Sequence, residues 1–105
     1  NISDKHLEIA VGSGRFLQLV LAYKKISGFN PGEIVAIDCA TRMIESAKKK
    51  FPKGNIRIQL GDVEKMDFAD GSFLSINIAN SIHCFSNLEN ALEEIHRVLH
   101  PQGRF

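Results

Sequence analysis

The apolar and polar positions along the chain follow two periods in turn, one typical of strands and one of helices. Four short apolar or alternating segments predict strands, at residues 5–10, 34–37, 55–60 and 70–80. Three longer segments repeat apolar residues every three or four positions and predict amphipathic helices, at residues 15–27, 41–51 and 86–100. The order β-α-β-α-β-β-α predicts an α/β sheet whose parallel strands are joined by right-handed crossovers.

The strand segments differ in how they are expected to be covered. Residues 34–37, IVAI, form an uninterrupted apolar run, which is typical of a strand buried on both faces of a parallel sheet. Residues 55–60, NIRIQL, alternate strictly and predict a strand at a sheet edge with one side in water. Residues 63–70, which follow, support one helical turn at most. The last residues, PQGRF, resemble the start of a further strand.

Each helical segment has an expected packed face and expected ends. The packed positions are Phe16, Leu19, Val20, Tyr23 and Ile26 in the first, Met43, Ala47 and Phe51 in the second, and Leu88, Leu92, Ile95 and Leu99 in the third. Pro52 stops the second helix. Ser86 and Glu89 fit a capping box at the start of the third, with Ser86 as the N-cap.

Composition and charge indicate one globular domain, residues 1–105. The chain has 105 residues, 44% of them hydrophobic and 24% charged, which is enough for one small core. With 13 basic and 12 acidic side chains the net charge is +1, so there is no electrostatic case for nucleic acid or a membrane as the main partner. No apolar stretch approaches the ~20 residues that span a bilayer, and no signal-peptide pattern opens the chain.

The cysteines and histidines do not predict a metal site. Cys39 and Cys84 lack CxxC spacing, so we expect reduced thiols and a cytoplasmic location. His96 and His100 lie one helical turn apart, but no acid or cysteine joins them as a third ligand. We therefore expect no bound metal.

Two glycines follow the first predicted strand, in the stretch LEIAVGSGRF. Gly12 and Gly14 lie where a ligand binds in open α/β sheets, at the turn between the first strand and the first helix. Glycine there permits positive φ and a close approach of ligand to backbone. Leu17 occupies the third position of the dinucleotide fingerprint G-x-G-x-x-G, and no P-loop lysine is present. A pyrophosphate ligand is therefore not expected.

Acidic residues lie at or near the ends of three successive predicted strands. Asp38 comes directly after IVAI, where its carboxylate could accept hydrogen bonds from both hydroxyls of a ribose. Asp62 follows the third strand and could accept from the exocyclic amine of a base; a turn role is an equal alternative for it. Glu8 lies in the first strand. Together they predict a nucleoside-bearing ligand without phosphates, bound at one edge of the sheet.

The sequence resembles the class I S-adenosylmethionine-dependent methyltransferases of the small-molecule type, over essentially its whole length. Four motifs carry the resemblance in order: LEIAVGSGRF, IDCATRMIESAKKKF, LGDVEKMDFADGSF and NSIHCFSNLENALEEIHRVLHPQG. The resemblance implies a Rossmann-like, doubly wound, mainly parallel sheet of order 3-2-1-4-5, truncated near the start of the fifth strand. It implies S-adenosylmethionine as cofactor, methyl transfer to a small-molecule acceptor, and a chain that is part of a longer one.

The resemblance also implies a set of cofactor-binding residues. The methionine end would be held by Glu8, by the backbone of the turn Ala10, Gly12, Ser13 and Gly14, and near the backbone of Asn80. The ribose would be bound by Asp38, with Cys39 and Met43 beside it or the adenine. The adenine would be bound by Asp62 and Val63.

The sequence departs from the family pattern at several positions. Ala10 replaces the first glycine of the first motif; its methyl is tolerable if φ is negative there. Leu74 replaces an acid, and Gln102 a glycine. Ser75 and Asn77 are polar within a strand expected to be central, which the sequence does not explain. Residues 80–83, NSIH, lack the Asn-Pro-Pro-aromatic pattern of base methylation, which argues against DNA as acceptor.

The chemistry leaves the catalytic residues and the activity open. A sulfonium methyl is already a strong electrophile, so such an enzyme mainly orients the acceptor in a site closed to water. His83 is a weak candidate for a general base, and packing is its commoner role. Two alternatives stay open: a catalytically inactive methyltransferase-like binding or scaffold module, and a nicotinamide-dependent oxidoreductase, which Leu17 disfavours. The sequence identifies neither the acceptor nor the oligomeric state.

Overall fold

Five parallel strands form the centre of the molecule. A computed structural model describes residues 5–12, 14, 17–19, 22, 33–51, 56–78 and 86–105. The strands are β1 (Lys5–Ile9), β2 (Glu33–Asp38), β3 (Ile56–Leu60), β4 (Phe73–Ile78) and β5 (Leu99–Arg104). The helices with described bounds are α1 (Thr41–Lys50) and α2 (Leu88–Val98). Residues 17–19 are also helical, within the predicted first helix.

The strand order is β3-β2-β1-β4-β5, which confirms the predicted doubly wound topology. All four neighbouring pairs are parallel, with Glu8 beside Ala36 of β2 and beside Asn77 of β4. β3 lies at one edge, as its alternating sequence predicts. β5 lies at the other edge and includes the residues expected to begin a fifth strand.

Helices cover both faces of the sheet. On one face, Leu7, Ile9, Val35, Ile37 and Ile76 pack with residues of α2 in one buried cluster. On the other face, a second cluster joins Ala36 and Ile58 of the sheet to Ile44 and Ala47 of α1, with the fully buried Leu17. Alternate residues of β1 and β2 therefore point to opposite layers, so that both strands are buried on both faces.

The packed face of α2 includes the predicted Ile95 and otherwise differs from the predicted one. Ala91, Ile95 and Val98 are buried, whereas Leu88 is 59% and Leu92 44% exposed. The small side chain of Ala91 lets the helix approach the sheet, so the buried stripe lies one position away from the leucines. Apolar spacing gave the right period but the wrong rotation for this helix.

Two other helix predictions were wrong in detail. The N-cap of α2 is Asn87, whose side chain accepts from the Asn90 N–H at 3.2 Å, and not Ser86. Ser86 instead bonds Glu64, a long-range partner that local sequence does not reveal. In the segment of the predicted first helix, Leu19 is 65% exposed while Leu17 is buried.

The cysteine expectation was also wrong in part. Cys39 is disulfide-bonded and not a reduced thiol. The lack of CxxC spacing therefore did not decide the state of this cysteine. None of the described helices is long and apolar enough to cross a membrane. In the same described residues, no group of three or more potential metal ligands occurs.

Candidate functional site

The turn after β1 contains three left-handed residues at alternate positions. Ala10 has φ 57°, Gly12 φ 60° and Gly14 φ 86°. The Val11 N–H donates to the Ile37 carbonyl at 3.0 Å, and the Gly14 N–H donates to the Val11 carbonyl at 3.1 Å. These bonds hold the turn against the carboxyl end of β2.

Gly14 has a packing reason to be glycine, independent of any ligand. A Cβ on Gly14 would lie 3.0 Å from Cε2 of Phe51 and 3.5 Å from Cβ of Ala47. Its left-handed φ also favours glycine. The turn therefore packs directly on α1.

The methyl of Ala10 was expected to be tolerated if φ were negative at this residue. The φ of Ala10 is instead positive, at 57°. An L-residue in the left-handed region costs about 1–2 kcal/mol, so Ala10 is strained where glycine would not be. The methyl itself is buried in the core cluster, with 1% of the residue exposed. This side chain contributes to packing while its backbone is strained.

Asp38 joins two turns at the carboxyl edge of the sheet. Its Oδ2 accepts from the Gly12 N–H and its Oδ1 from the Ala40 N–H, both at 2.9 Å. Only 1% of the residue is exposed. The carboxylate thus fixes the glycine turn relative to the start of α1, whatever else it binds.

Asp62 forms a turn directly after β3. Its Oδ1 accepts from the Glu64 N–H at 2.9 Å, and its carbonyl accepts from the Lys65 N–H at 3.1 Å. The preceding residue, Gly61, donates its N–H to the Asp38 carbonyl at 2.9 Å, which ties the ends of β2 and β3 together. Asp62 is exposed, while Val63 is 2% exposed and belongs to the core.

Glu8 is fully buried and held by two side chains. Its Oε1 accepts from His6 Nε2 at 2.9 Å, and its Oε2 accepts from Asn77 Nδ2 at 3.0 Å. His6 Nδ1 lies 2.7 Å from Ser75 Oγ. A hydroxyl both donates and accepts, so Ser75 suits either role of this ring nitrogen.

This network accounts for the polar residues of β4. His6 pairs with Ser75 and Glu8 with Asn77 in the register of β1 and β4, so all four side chains share one sheet face. Among the described residues, no buried side-chain nitrogen or oxygen lacks a partner. Ser75 and Asn77 are polar because they satisfy His6 and Glu8.

The structure brings most of the predicted site residues to one edge of the sheet. Ala10, Gly12, Gly14, Asp38 and Cys39 adjoin one another there, and Asp62 lies one strand further along. Cys39 is exposed, and Met43 is half-buried in the first turn of α1. Ser13, Asn80 and His83 lie outside the described residues. Whether the predicted set binds a cofactor stays a prediction.

Sequence reasoning missed the residues that hold the 61–72 loop, which carries Asp62 and Val63. Arg97 of α2 donates to Glu94 through Nε (2.6 Å) and to Asp70 and the Phe68 carbonyl through Nη1, at 2.8 and 2.7 Å. Its Nη2 donates to the Met66 carbonyl at 2.9 Å and to Glu94 Oε1 at 3.0 Å. The bond to Glu94, followed by the bond to Asp70, raises the pKa of Arg97, and the bond from Arg97 lowers the pKa of Glu94. No local signal in the sequence shows that Arg97 is a loop anchor.

Glu64 attaches the same loop to the start of α2. The Ser86 hydroxyl, followed by the N–H groups of Ser86 and Asn87, lowers the pKa of the Glu64 carboxyl below its ordinary 4.5. Glu94 adds a further bond, accepting from the Met66 N–H at 2.7 Å. The loop therefore needs no helix of its own, as its sequence predicts.

The chain matches a known family along nearly its whole length. The sequence model of the family described as "Methyltransferase domain" matches residues 7–105. The chain belongs to this methyltransferase family. S-adenosylmethionine is the methyl donor of the family, so the dependence on this cofactor that the resemblance implied is confirmed.

The individual relatives and solved structures that resemble this chain are longer than it is. The chain is 35% identical over 104 residues to an uncharacterized methyltransferase of Schizosaccharomyces pombe, covering 99% of this chain and 38% of the relative. It is 35% identical to the demethylmenaquinone methyltransferase of Chlorobaculum parvum, covering 94% and 38%. The crystal structure of the YcgJ protein from Bacillus subtilis superposes with a TM-score of 0.78 at 28% identity, covering 98% and 42%. The chain thus spans about two fifths of these relatives.

The residues present fit S-adenosylmethionine by the chemistry of their groups. A ribose offers two hydroxyl donors, and the acceptor at the end of β2 is the carboxylate of Asp38, positioned by two N–H donors. The buried Leu17 fills the position where a dinucleotide site needs glycine. Each oxygen of Asp38 and of Glu8 already accepts a bond, and a carboxylate has about four acceptor positions. Glu8 fits less directly, because it lies within β1 and is fully buried, whereas Asp38 is the last residue of β2.

Proposed function

We propose that this chain forms the cofactor-binding part of an S-adenosylmethionine-dependent methyltransferase that acts on a small molecule. The observation that carries the proposal is Asp38, whose carboxylate is fixed between the Gly12 and Ala40 N–H groups at the carboxyl ends of the strands. Ligands of doubly wound sheets bind at this edge. The match to the methyltransferase family supplies the reaction class.

In this proposal each residue at the edge has a separate part. The backbone of the turn from Ala10 to Gly14, which includes Ser13, holds the methionine end, and Asp38 accepts from the ribose hydroxyls. Asp62 accepts from the adenine amine, with Val63, Cys39, Met43 and Asn80 completing the contacts. Glu8 supports the turn from within the sheet, because His6 and Asn77 occupy its carboxylate.

The cofactor supplies an electrophilic methyl group on its sulfonium, and the protein's contribution is orientation. Holding a nucleophile in line with the methyl–sulfur bond is worth up to about 7–11 kcal/mol of barrier. A base is needed only where the acceptor must lose a proton, and His83 is proposed for that step.

A small-molecule acceptor has support from charge and from relatives. A net charge of +1 gives no basis for strong binding to a nucleic acid backbone. The Chlorobaculum parvum relative is a demethylmenaquinone methyltransferase. We propose an acceptor of that general size, an organic molecule with a nucleophilic carbon or heteroatom.

Calorimetric titration with S-adenosylhomocysteine tests the proposal. We expect one site per chain, and at least tenfold weaker binding by Asp38→Asn, which keeps the side-chain volume but loses the charge. Asp67→Asn, an exposed residue of the 61–72 loop, is the matched control and should bind as the wild type does. Absence of binding by the wild type, or equal binding by Asp38→Asn, would falsify the proposal.

A second candidate is a methyltransferase-like module that binds cofactor without turnover. The strained Ala10 favours it, because a methyl group stands at the turn where the family pattern has glycine. Incubation with methyl-labelled S-adenosylmethionine and a panel of small-molecule acceptors separates the two candidates. Cofactor binding without label transfer to any acceptor supports the module, and transfer excludes it.

A further inference from the structure

The carboxylate of Glu64 receives three hydrogen bonds from the residues that precede α2. Its Oε2 accepts from the Ser86 N–H at 2.8 Å, the Ser86 hydroxyl at 2.6 Å and the Asn87 N–H at 3.0 Å. Charge-assisted bonds of this kind are stronger than neutral ones, and a negative charge near a helix N-terminus is favoured by the helix dipole.

The backbone of Glu64 belongs to the turn of Asp62. The Glu64 N–H donates to Asp62 Oδ1 at 2.9 Å, and the adjacent Lys65 N–H donates to the Asp62 carbonyl. Glu64 is thus bonded to Asp62 through its main chain and to α2 through its side chain. The direction in which Asp62 points depends on this pair of attachments.

The rest of the loop has its own attachment. Arg97 and Glu94 bond residues 66–70, two turns further along α2. Loss of the Glu64 carboxylate would therefore leave the later part of the loop in place and release the turn at residues 62–65. Its effect should be local to the turn.

We propose that Glu64 is a positioning residue for the adenine side of the cofactor site, orienting the Asp62–Val63 turn by bonding the start of α2. The proposal rests on the proposed function, because it takes the turn to contact the adenine. Cofactor selectivity then depends on a carboxylate whose own bonds go to α2 and not to the cofactor.

Two ligands that differ at the amine edge of the base give the test; the inosine base also carries a hydrogen on N1, where adenine has an acceptor. S-inosylhomocysteine has an oxygen where S-adenosylhomocysteine has the exocyclic amine. Calorimetry should show that the wild type prefers the adenosine ligand and that Glu64→Gln loses about tenfold of that preference. Ser86→Ala, which removes one of the three bonds, should fall between them. Asp67→Asn, an exposed control on the same loop, should keep the full preference.

The outcomes separate this proposal from the proposed function. If the wild type binds neither ligand, the proposed function fails. If the wild type binds and Glu64→Gln weakens both ligands equally, Glu64 is only structural and the positioning role is wrong. Should Glu64→Gln not fold, Ser86→Ala decides: an unchanged preference in that variant overturns the proposal, and a reduced preference supports it.

Discussion

Ala10 combines two opposing effects in one residue. Its methyl is buried in the core, while its φ of 57° lies in the region that glycine occupies without strain. Replacement by glycine removes about 1–2 kcal/mol of strain. It also loses a buried methyl worth about 0.8 kcal/mol and adds about 0.4–1 kcal/mol of unfolded-state entropy. The two effects nearly cancel.

We therefore expect Ala10→Gly to change the free energy of unfolding by less than about 1 kcal/mol. Ala10→Val should lower it by about 2–3 kcal/mol, because a β-branched residue is strained most at positive φ. Ala91→Gly is the matched control: that alanine is buried in α2, so glycine should cost about 2 kcal/mol there. Urea unfolding measures all three. Equal losses for Ala10→Gly and Ala91→Gly would show that Ala10 is not strained.

His6 and Glu8 form a hydrogen-bonded pair that is almost completely buried. His6 is 4% and Glu8 0% exposed. Removing one member of a buried pair leaves the other uncompensated, whereas replacing both with apolar residues is often neutral.

We expect His6→Leu to lower the free energy of unfolding by about 3 kcal/mol, and the double variant His6→Leu/Glu8→Leu to recover part of that loss. Chemical unfolding of the two variants and of Glu8→Leu completes a double-mutant cycle. A double variant as unstable as the sum of the two single ones would mean that the side chains do not act as a pair.

At the scale of elements, the sequence predicted the strands and the period of the helices well. IVAI was recognised as a buried strand because its apolar run is uninterrupted, and β2 lies between β1 and β3 with a buried cluster on each face. The rotation of α2 was not predicted, because Leu88 and Leu92 have the same spacing as Ala91, Ile95 and Val98. Only the tertiary partners of the helix, including the Glu64 carboxylate that binds Ser86, decide between them.

The stability that Glu94 contributes by attaching the 61–72 loop to α2 should decrease at acidic pH. Bonds from Arg97 and Met66 lower the pKa of Glu94 below its ordinary 4.5. A group whose folded pKa is lowered adds stability above its unfolded pKa, and that stability is lost as pH falls through the folded pKa. The contribution is therefore complete at neutral pH, begins to fall below about pH 4.5 and is lost as pH falls through the lower folded pKa.

The prediction compares Glu94→Gln with the wild type in urea at several pH values. We expect the variant to be about 1–2 kcal/mol less stable at pH 7 and the difference to shrink as pH falls below 4.5. Glu93→Gln removes an exposed carboxylate from the same helix and should cost less than about 0.5 kcal/mol. A difference for Glu94→Gln that stays constant into acid would contradict the role of its charge.

At the scale of the whole molecule, the alternation of strand and helix segments in the sequence was sufficient to predict the topology. The candidate site was then predicted at the edge where the carboxyl ends of the parallel strands meet. Gly12, Asp38 and Asp62 were expected at one edge, and hydrogen bonds connect the turn of each to its neighbour. The sequence could not show that Asn77 bonds Glu8, because the two residues lie 69 positions apart. The sequence signal for such contacts was the presence of two polar residues, Ser75 and Asn77, in a strand expected to be central.

Because the three turns at this edge belong to three strands, a ligand that contacts all of them should stabilise the sheet as one unit. A ligand that binds only the folded state adds RT ln(1 + [L]/Kd), about 2.7 kcal/mol at a hundredfold excess over Kd. For a domain of this size that corresponds to a rise in Tm of the order of 10 °C.

We expect S-adenosylhomocysteine at that excess to raise Tm by about 10 °C, and NADH at the same concentration to leave it unchanged. The second expectation follows from Leu17, which is fully buried where a pyrophosphate-binding helix requires glycine. Scanning calorimetry or thermal-shift fluorescence gives both values. In Asp38→Asn the rise should be smaller at equal ligand, since the ribose loses a charged acceptor. A rise with NADH and none with S-adenosylhomocysteine would reverse the assignment of this edge to an unphosphorylated nucleoside ligand.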